Sequence, residues 1–286
     1  MSVLRNRRST SRLHVGNMVD WSCPLNRGLV SWWLCVPQLM AGQTWYDIAG
    51  QNNGSFVNNP LWTTDSRGPL GGSVNFVNAS SQAVSIGNSG MAVSTACTIA
   101  AWVRPIAPLA GNGGICFLGN RTIKLDCLGN TTSDFYYEVN NGLNKSVYAA
   151  NKIPTNSWSF LCGAWDDANL NGYVANQSSG FVNVGTTACT GTATSRSVLG
   201  QIGHDNLDAN ATRYFNGRIG SVWVFNRGLS ASDVFDLYTE SILGYPRTLN
   251  RIGRGYPSQQ STKFRRTLSA LGTRTGSRQI AFGPEQ

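Results

Sequence analysis

The sequence predicts an all-β fold of two stacked antiparallel sheets, and three observations carry that expectation. Turn-forming clusters recur along the chain at Gly50–Gly54, Gly71–Gly72, Gly111–Gly114, Asn140–Gly142, Asn169–Gly172 and Asp205–Asn210. The runs between them are short and rich in β-branched and aromatic residues, the pattern of a sandwich. Only 13% of residues are charged while 32 are Gly, which suits a loop-rich β protein and not a helical one.

In chain order, a strand-like GLVSWW (Gly28 to Trp33) is followed by an Asp-containing turn, WYDIAGQNNGSF (Trp45 to Phe56), then by a strand pair, SVNFVNASSQAVSI (Ser73 to Ile86), and by strand-like CTIAAWVRP (Cys97 to Pro105) and NSWSFLCGAW (Asn156 to Trp165). In CTIAAWVRP, Thr98, Ala100 and Trp102 share one face of the pleat and Ile99, Ala101 and Val103 the other. Both faces are apolar or small, so both must be covered. The last segment, FNGRIGSVWVFNRGLSASDV (Phe215 to Val234), reads as strand, turn and helix without slack. Period-2 alternation puts Ile219, Trp223 and Phe225 on one face, with Val222 and Val224 on the other. Asn226 to Gly228 supplies the turn. Ser230 and Asp233 then form a capping-box start for a short helix carrying Val234, Leu237 and Tyr238, which closes the domain.

These six segments, in this order over Asn26 to Leu243, resemble the concanavalin A-like lectin/glucanase superfamily, and most closely its laminin G-like branch. The resemblance implies a two-sheet antiparallel jelly roll with a short C-terminal closing helix. The expected organisation is a basic N-terminal arm over residues 1–25, one jelly roll over 26–243 and a basic C-terminal arm over 244–286.

Charge separates the arms from the body. Residues 1–15 and 245–286 together hold twelve basic residues (Arg5, Arg7, Arg8, Arg12, Arg247, Arg251, Arg254, Lys263, Arg265, Arg266, Arg274 and Arg278) against Glu285 alone, a balance of +11. Residues 16–244 hold eleven basic and thirteen acidic residues, a balance of −2, so the body has no charge reason to bind nucleic acid. The arms have a charge reason to seek an anionic surface, an acidic protein face being expected ahead of nucleic acid. Leu249, Ile252, Tyr256, Phe264, Leu268, Leu271, Ile280 and Phe282 intersperse the C-terminal cations with apolar anchors, which a plain linker would not need. Capsid or tail subunits of a large assembly are the expected partners, and a cell-surface glycan a further candidate.

No apolar run of signal-peptide length follows Arg12, and no stretch approaches the roughly 18 apolar residues of a membrane span. The chain is therefore expected to be made in a host cytoplasm and to reside in a virion. The alternative is an extracellular protein exported by an unconventional route. Seven Cys without a CxxC or His pairing suggest neither a zinc site nor a disulfide framework, and Cys97 and Cys162 read as small buried hydrophobes. Seven N-x-S/T sequons are near what this Asn-, Ser- and Thr-rich composition produces by chance.

Glycan hydrolysis needs two carboxylates at short separation, about 5 to 9.5 Å. The three Glu (Glu138, Glu240 and Glu285) lie apart, and no strand carries acids at i, i+2 and i+4. Asp166 and Asp167 read as a turn, and His14 and His204 lack a nucleophile partner at a recognisable spacing. A non-enzymatic role is expected. Binding fits better, since two loops mix flat rings with amides and carboxylates: Trp45, Tyr46, Asp47, Asn52 and Asn53 in one, His204, Asp205, Asn206, Asp208 and Asn210 in the other. Core packing of the rings and Asx-turn use of the acids are the alternative reading of both loops.

The resemblance also makes Ca²⁺ a candidate cofactor, with Asp47, Asp205 and Asp208 as hard oxygen donors, although Gly220 and Ser221 stand where many relatives carry an acidic pair. Trp32, Trp33, Trp102, Trp158, Trp165 and Trp223 sit at strand spacing and are expected in the core. The functional expectation is a non-enzymatic virion structural protein, a capsid decoration or tail fibre component, that displays a lectin-like jelly roll. The alternative is a free carbohydrate-binding or adhesion module.

Overall fold

A computed structural model describes residues 18–50, 52–67, 71–88, 91, 93–106, 112–119, 121–129, 133–205 and 213–243. Residues 1–17 and 244–286, and with them every arginine and lysine assigned to anchoring, lie outside the described residues, as do Asn206, Asp208 and Asn210. The strands in chain order are β1 (Leu29–Trp33), β2 (Thr44–Trp45), β3 (Gly54–Val57), β4 (Leu61–Thr63), β5 (Ser73–Phe76), β6 (Ala83–Ile86), β7 (Cys97–Pro105) and β8 (Asn112–Leu118). They continue with β9 (Ile123–Leu128), β10 (Ser133–Asn140), β11 (Asn144–Ile153), β12 (Ser159–Trp165), β13 (Asn169–Asn176), β14 (Gly180–Ala188), β15 (Gly200–Ile202) and β16 (Gly217–Phe225), before α1 (Ala231–Leu243).

They assemble into two antiparallel sheets. The first runs β14-β13-β12-β7-β16-β5-β4, with β1 also on β16, and the second β11-β10-β9-β8-β15-β6-β3-β2. The main core lies between them. Ile99, Ala101, Val103, Val222 and Val224 of the first sheet meet Ile115, Leu125, Phe135, Tyr137 and Val139 of the second. The outer face of the first sheet is apolar too where α1 covers it. Ala100, Trp102, Phe160, Trp223 and Phe225 are covered there by Val234 and Leu237 of α1 and by Met18, Val19 and Leu25. Packing thus extends N-terminal of Asn26, to residues 18 and 19. The capping box forms as its residues dictate: the Asp233 N–H donates to Ser230 Oγ at 3.2 Å and the Ser230 N–H to Asp233 Oδ2 at 3.4 Å.

Two local expectations need correction. Ile219 does not share a face with Trp223 and Phe225; it joins Val222 and Val224 in the core between the sheets. The cause is a β-bulge. Ile219 opposes Val103 and Val222 opposes Ala101, so β16 uses three steps where β7 uses two, and Gly220–Ser221 absorb the extra residue. Two of the turn clusters are strand instead: Asn112–Gly114 opens β8, and Asn169–Gly172 is the start of β13. The turn before it is made by Asp166, whose Oδ1 accepts from the Ala168 and Asn169 N–H groups at 3.0 and 2.8 Å. Gly172 is Gly for packing, because a Cβ there would lie 2.6 Å from the Phe135 ring. Among the described residues no helix is long and apolar enough to cross a membrane.

Candidate functional site

The outer face of the second sheet differs from every other face of the sandwich. Register carries one lateral row across seven strands: Ser55 opposes Ser85, which opposes Gln201, then Phe117, Lys124, Glu138 and Ser146. At about 4.8 Å per strand, the row is roughly 29 Å long. A second row, Gly114, Asp126, Tyr136 and Tyr148, runs beside it.

The middle of this face holds a charged cluster under cover. Lys124 Nζ donates to Asp205 Oδ2 at 2.8 Å and lies 3.4 Å from Asp126 Oδ2 and 3.8 Å from Glu138 Oε2. Arg213 Nη1 reaches the same Asp205 oxygen at 2.9 Å, and Tyr136 Oη donates to Glu138. Lys124, Asp126, Glu138 and Asp205 are each at most 3% exposed. Alternation puts Lys124 and Asp126 on one face of β9, and pairing with β10 brings Glu138 beside them. Asp205 arrives from the segment after β15 because Gly114 leaves room: a Cβ at that position would sit 2.1 Å from the Asp205 nitrogen.

These surroundings set the charges. Burial pushes the Asp126 carboxyl up to about 8, opposed by the Lys124 ammonium and reinforced by Asp205 and Glu138. Burial alone would lower the Lys124 pKa, but Asp126 and Asp205 outweigh it and hold it above its ordinary value. Burial, aided by the bond to Glu138, takes the Tyr136 phenol up to about 12, which keeps it a donor. Three carboxylates, of Asp126, Glu138 and Asp205, are thus brought together from separate segments where no single strand carries a pair. Their cover, and the ammonium between them, suit an ionic lock better than acid–base chemistry on a substrate. The signal that could have revealed them is the period-2 placing of Lys124 and Asp126, and of Tyr136 and Glu138, in otherwise apolar strands.

Beside the lock the face opens. His204 stacks on Tyr214 with ring centroids 3.9 Å apart and planes 12° from parallel, and its Nδ1 lies 2.6 Å from Gln201 Oε1. Tyr214, Arg213, Gln201 and Ser85 are half-buried and Ser55 is exposed, which makes a ring, a guanidinium, an amide and two hydroxyls reachable from solvent. The second sequence-identified loop therefore delivers His204 and Asp205 here, together with Arg213 and Tyr214, which sequence reasoning missed.

The first loop does not converge with it. Asp47 is buried, and its carboxylate accepts from the N–H groups of Trp32, Ala49, Gly50 and Asn52 at 2.9 to 3.1 Å. Asn53 Oδ1 accepts from the Asp47 N–H, Asn52 Nδ2 donates to Ser31 Oγ, and Trp45 is fully buried. Tyr46 is half-buried against the outer core of the first sheet. This loop is a turn built around Asp47. Among the described residues a calcium ion does not fit the expected donors, since Asp47 is engaged by four amides and Asp205 by two cations; Asp208 lies outside them. No group of three or more His, Cys, Asp or Glu suited to a metal exists among the described residues.

A laminin G-like family model, described as the concanavalin A-like lectin/glucanases superfamily, matches residues 78–235. Among solved structures, domain 4 of AbnA, a GH43 extracellular arabinanase from Geobacillus stearothermophilus in complex with arabinotriose, is 15% identical with a TM-score of 0.54. The match covers 73% of this chain and 97% of that one. The binding domain of botulinum neurotoxin DC in complex with SialylT is 13% identical with a TM-score of 0.50, over 75% of this chain and 52% of that one. Trypanosoma rangeli sialidase in complex with 2,3-difluorosialic acid gives 14% and 0.50, over 75% of this chain and 33% of that one. The chain thus spans about half of the toxin domain and a third of the sialidase, and at these identities the likeness is one of fold. No curated protein matches the chain in sequence.

Proposed function

The chain belongs to the laminin G-like family of the concanavalin A-like lectin/glucanases superfamily, and from that premise we propose that it is a non-enzymatic glycan-binding protein of a virion, held on the particle by its basic arms. The observation that carries the binding reading is the lateral row across the second sheet, polar at every position but the buried Phe117. It runs at right angles to the strands, is open at Ser55, Ser85 and Gln201, and is flanked by the His204–Tyr214 stack and Arg213. A ring to face sugar C–H groups, beside amide, guanidinium and hydroxyl groups to hold sugar hydroxyls, is what carbohydrate recognition asks of a surface. The buried lock behind it keeps that surface rigid, so that little ordering accompanies binding.

A glycan array followed by titration of the strongest hit tests this. Tyr214→Ala and Gln201→Ala should each weaken binding by about tenfold or more while circular dichroism stays native. Unchanged affinity in both variants, or no glycan hit at all, would remove the face from consideration.

The assembly half of the proposal rests on charge: +11 in the arms against −2 in residues 16–244. A cytoplasmic origin with release by lysis fits a virion protein. Truncating residues 245–286 should abolish incorporation into particles while the melting temperature shifts by no more than a few degrees. Normal occupancy by the truncated chain would transfer the contact to the sandwich, and absence of the full chain from particles would favour a free adhesion module.

A further inference from the structure

We infer that the outer face of the first sheet carries a separate oxyanion site, formed by Arg67, Arg104 and Arg218 beside Trp102. Arg218 of β16 and Arg104 of β7 are direct register partners, so two guanidinium groups face each other across neighbouring strands. Like charges so placed repel unless an anion joins them. One does: Asp65 Oδ2 accepts from Nη1 of both, and its Oδ1 accepts from Trp158 Nε1 at 3.3 Å. A single carboxylate does not exhaust two forks of five N–H donors each. Arg104 places its Nε on the Asn156 carbonyl at 3.1 Å, whereas the Arg218 Nε has no acceptor among the described residues.

Arg67, two residues beyond Asp65, adds a third cation. Its guanidinium stands 5.8 Å from the centre of the Trp102 ring, and Trp102 precedes Arg104 by two on the same face of β7. Arg67 and Trp102 also line a cavity of about 30 Å³ beside the Gly220–Ser221 bulge, with Glu240 on its wall. Near Trp102, then, stand two guanidinium groups joined by Asp65 and a third, Arg67, on the Trp102 ring, with Glu240 on the wall of the cavity that Arg67 lines, in a body whose balance is −2. Arg forks match phosphate, sulfate and carboxylate geometry, and an adjacent Trp suits a ligand that carries the anion on a ring. Asp65 plays the part of an internal anion that a ligand would supplement. This site lies on the other sheet from the glycan face and does not depend on it.

Titration calorimetry on the full chain at constant ionic strength decides the matter, with inorganic phosphate, sulfate and glucuronate as probes and chloride and glucose as controls. Binding of phosphate or sulfate alone identifies a free oxyanion, and binding of glucuronate identifies an acidic sugar. Either supports the site, provided Arg67→Gln weakens it about tenfold, as loss of a charge-assisted contact should. Arg67 is exposed, so this variant should melt with the parent protein in the absence of anion. Asp65→Asn removes the internal competitor and should tighten binding severalfold, where a purely structural ion pair would give no gain. The inference is overturned if no probe binds, or if binding is the same in Arg67→Gln as in the parent.

Discussion

Replacing Lys124 by Met should lower the unfolding free energy by about 3–5 kcal/mol at pH 7, the largest effect expected of a polar residue in this protein. The ammonium lies within 4 Å of three carboxylates that are almost fully excluded from solvent. Without it Glu138 keeps the Tyr136 hydroxyl but no cation among the described residues, and Asp205 keeps Arg213, while Asp126, which burial holds protonated at pH 7, adds no charge of its own. Urea denaturation at pH 7 and pH 5 would measure this. The loss should shrink at the lower pH, because carboxylates deprived of their cation take up protons. A change below about 1 kcal/mol at pH 7 would mean that water reaches the cluster.

The sign of the pH dependence in the parent protein follows from Asp126. Its carboxyl rises on folding from the ordinary 3.8 to about 8. The native state therefore holds a proton that the unfolded state has released throughout that window. Its contribution to stability is complete below about pH 4, declines as pH rises from there to about 8, and is flat above. Asp126→Asn should abolish that decline and leave the variant more stable than the parent above pH 8. A parallel pH profile for both proteins would show that Asp126 is not the group responsible.

Trp223→Ala should cost about 3–5 kcal/mol through the cavity it leaves. Trp223 is 3% exposed, and its ring centroid lies 5.6 Å from Trp32 and 6.4 Å from Phe160 in the layer beneath α1. Neighbouring rings cannot collapse far into the gap, because Phe160 is also held by Trp102 and Tyr238. Thermal and urea melts would measure the loss, and Trp223→Phe should recover most of it. A cost under about 1 kcal/mol would make the residue a surface platform instead of a packing one.

Much of the fold was legible because it is written at short range. The two-faced pattern of Cys97–Pro105 survives in the structure, with Ile99, Ala101 and Val103 toward the other sheet and Ala100 and Trp102 toward α1. The Ser230–Asp233 capping box, the Asp166 turn and the burial of Cys97 and Cys162 also follow from local residue chemistry. Asp47 illustrates the limit of such reading. A carboxylate in a Gly- and Asn-rich loop fits a ligand and a turn equally well, and only its four amide donors assign it to the turn.

The sequence by itself determined most of the strand alternation and where charge accumulates, since each depends on neighbours within a few positions, but in it the start of β13 at Asn169–Gly172 reads as a turn. It could not place Ile219, because one bulge at Gly220–Ser221 shifts the phase of everything before it, and a bulge is defined against the partner strand β7. Nor could it assemble Lys124, Glu138 and Asp205, or set Arg104 against Arg218, since those residues are far apart in the chain. Register is a property of pairs of strands. It is fixed by how whole apolar faces come to rest against one another, so the candidate sites, unlike the strands that carry them, were decided only by the tertiary structure.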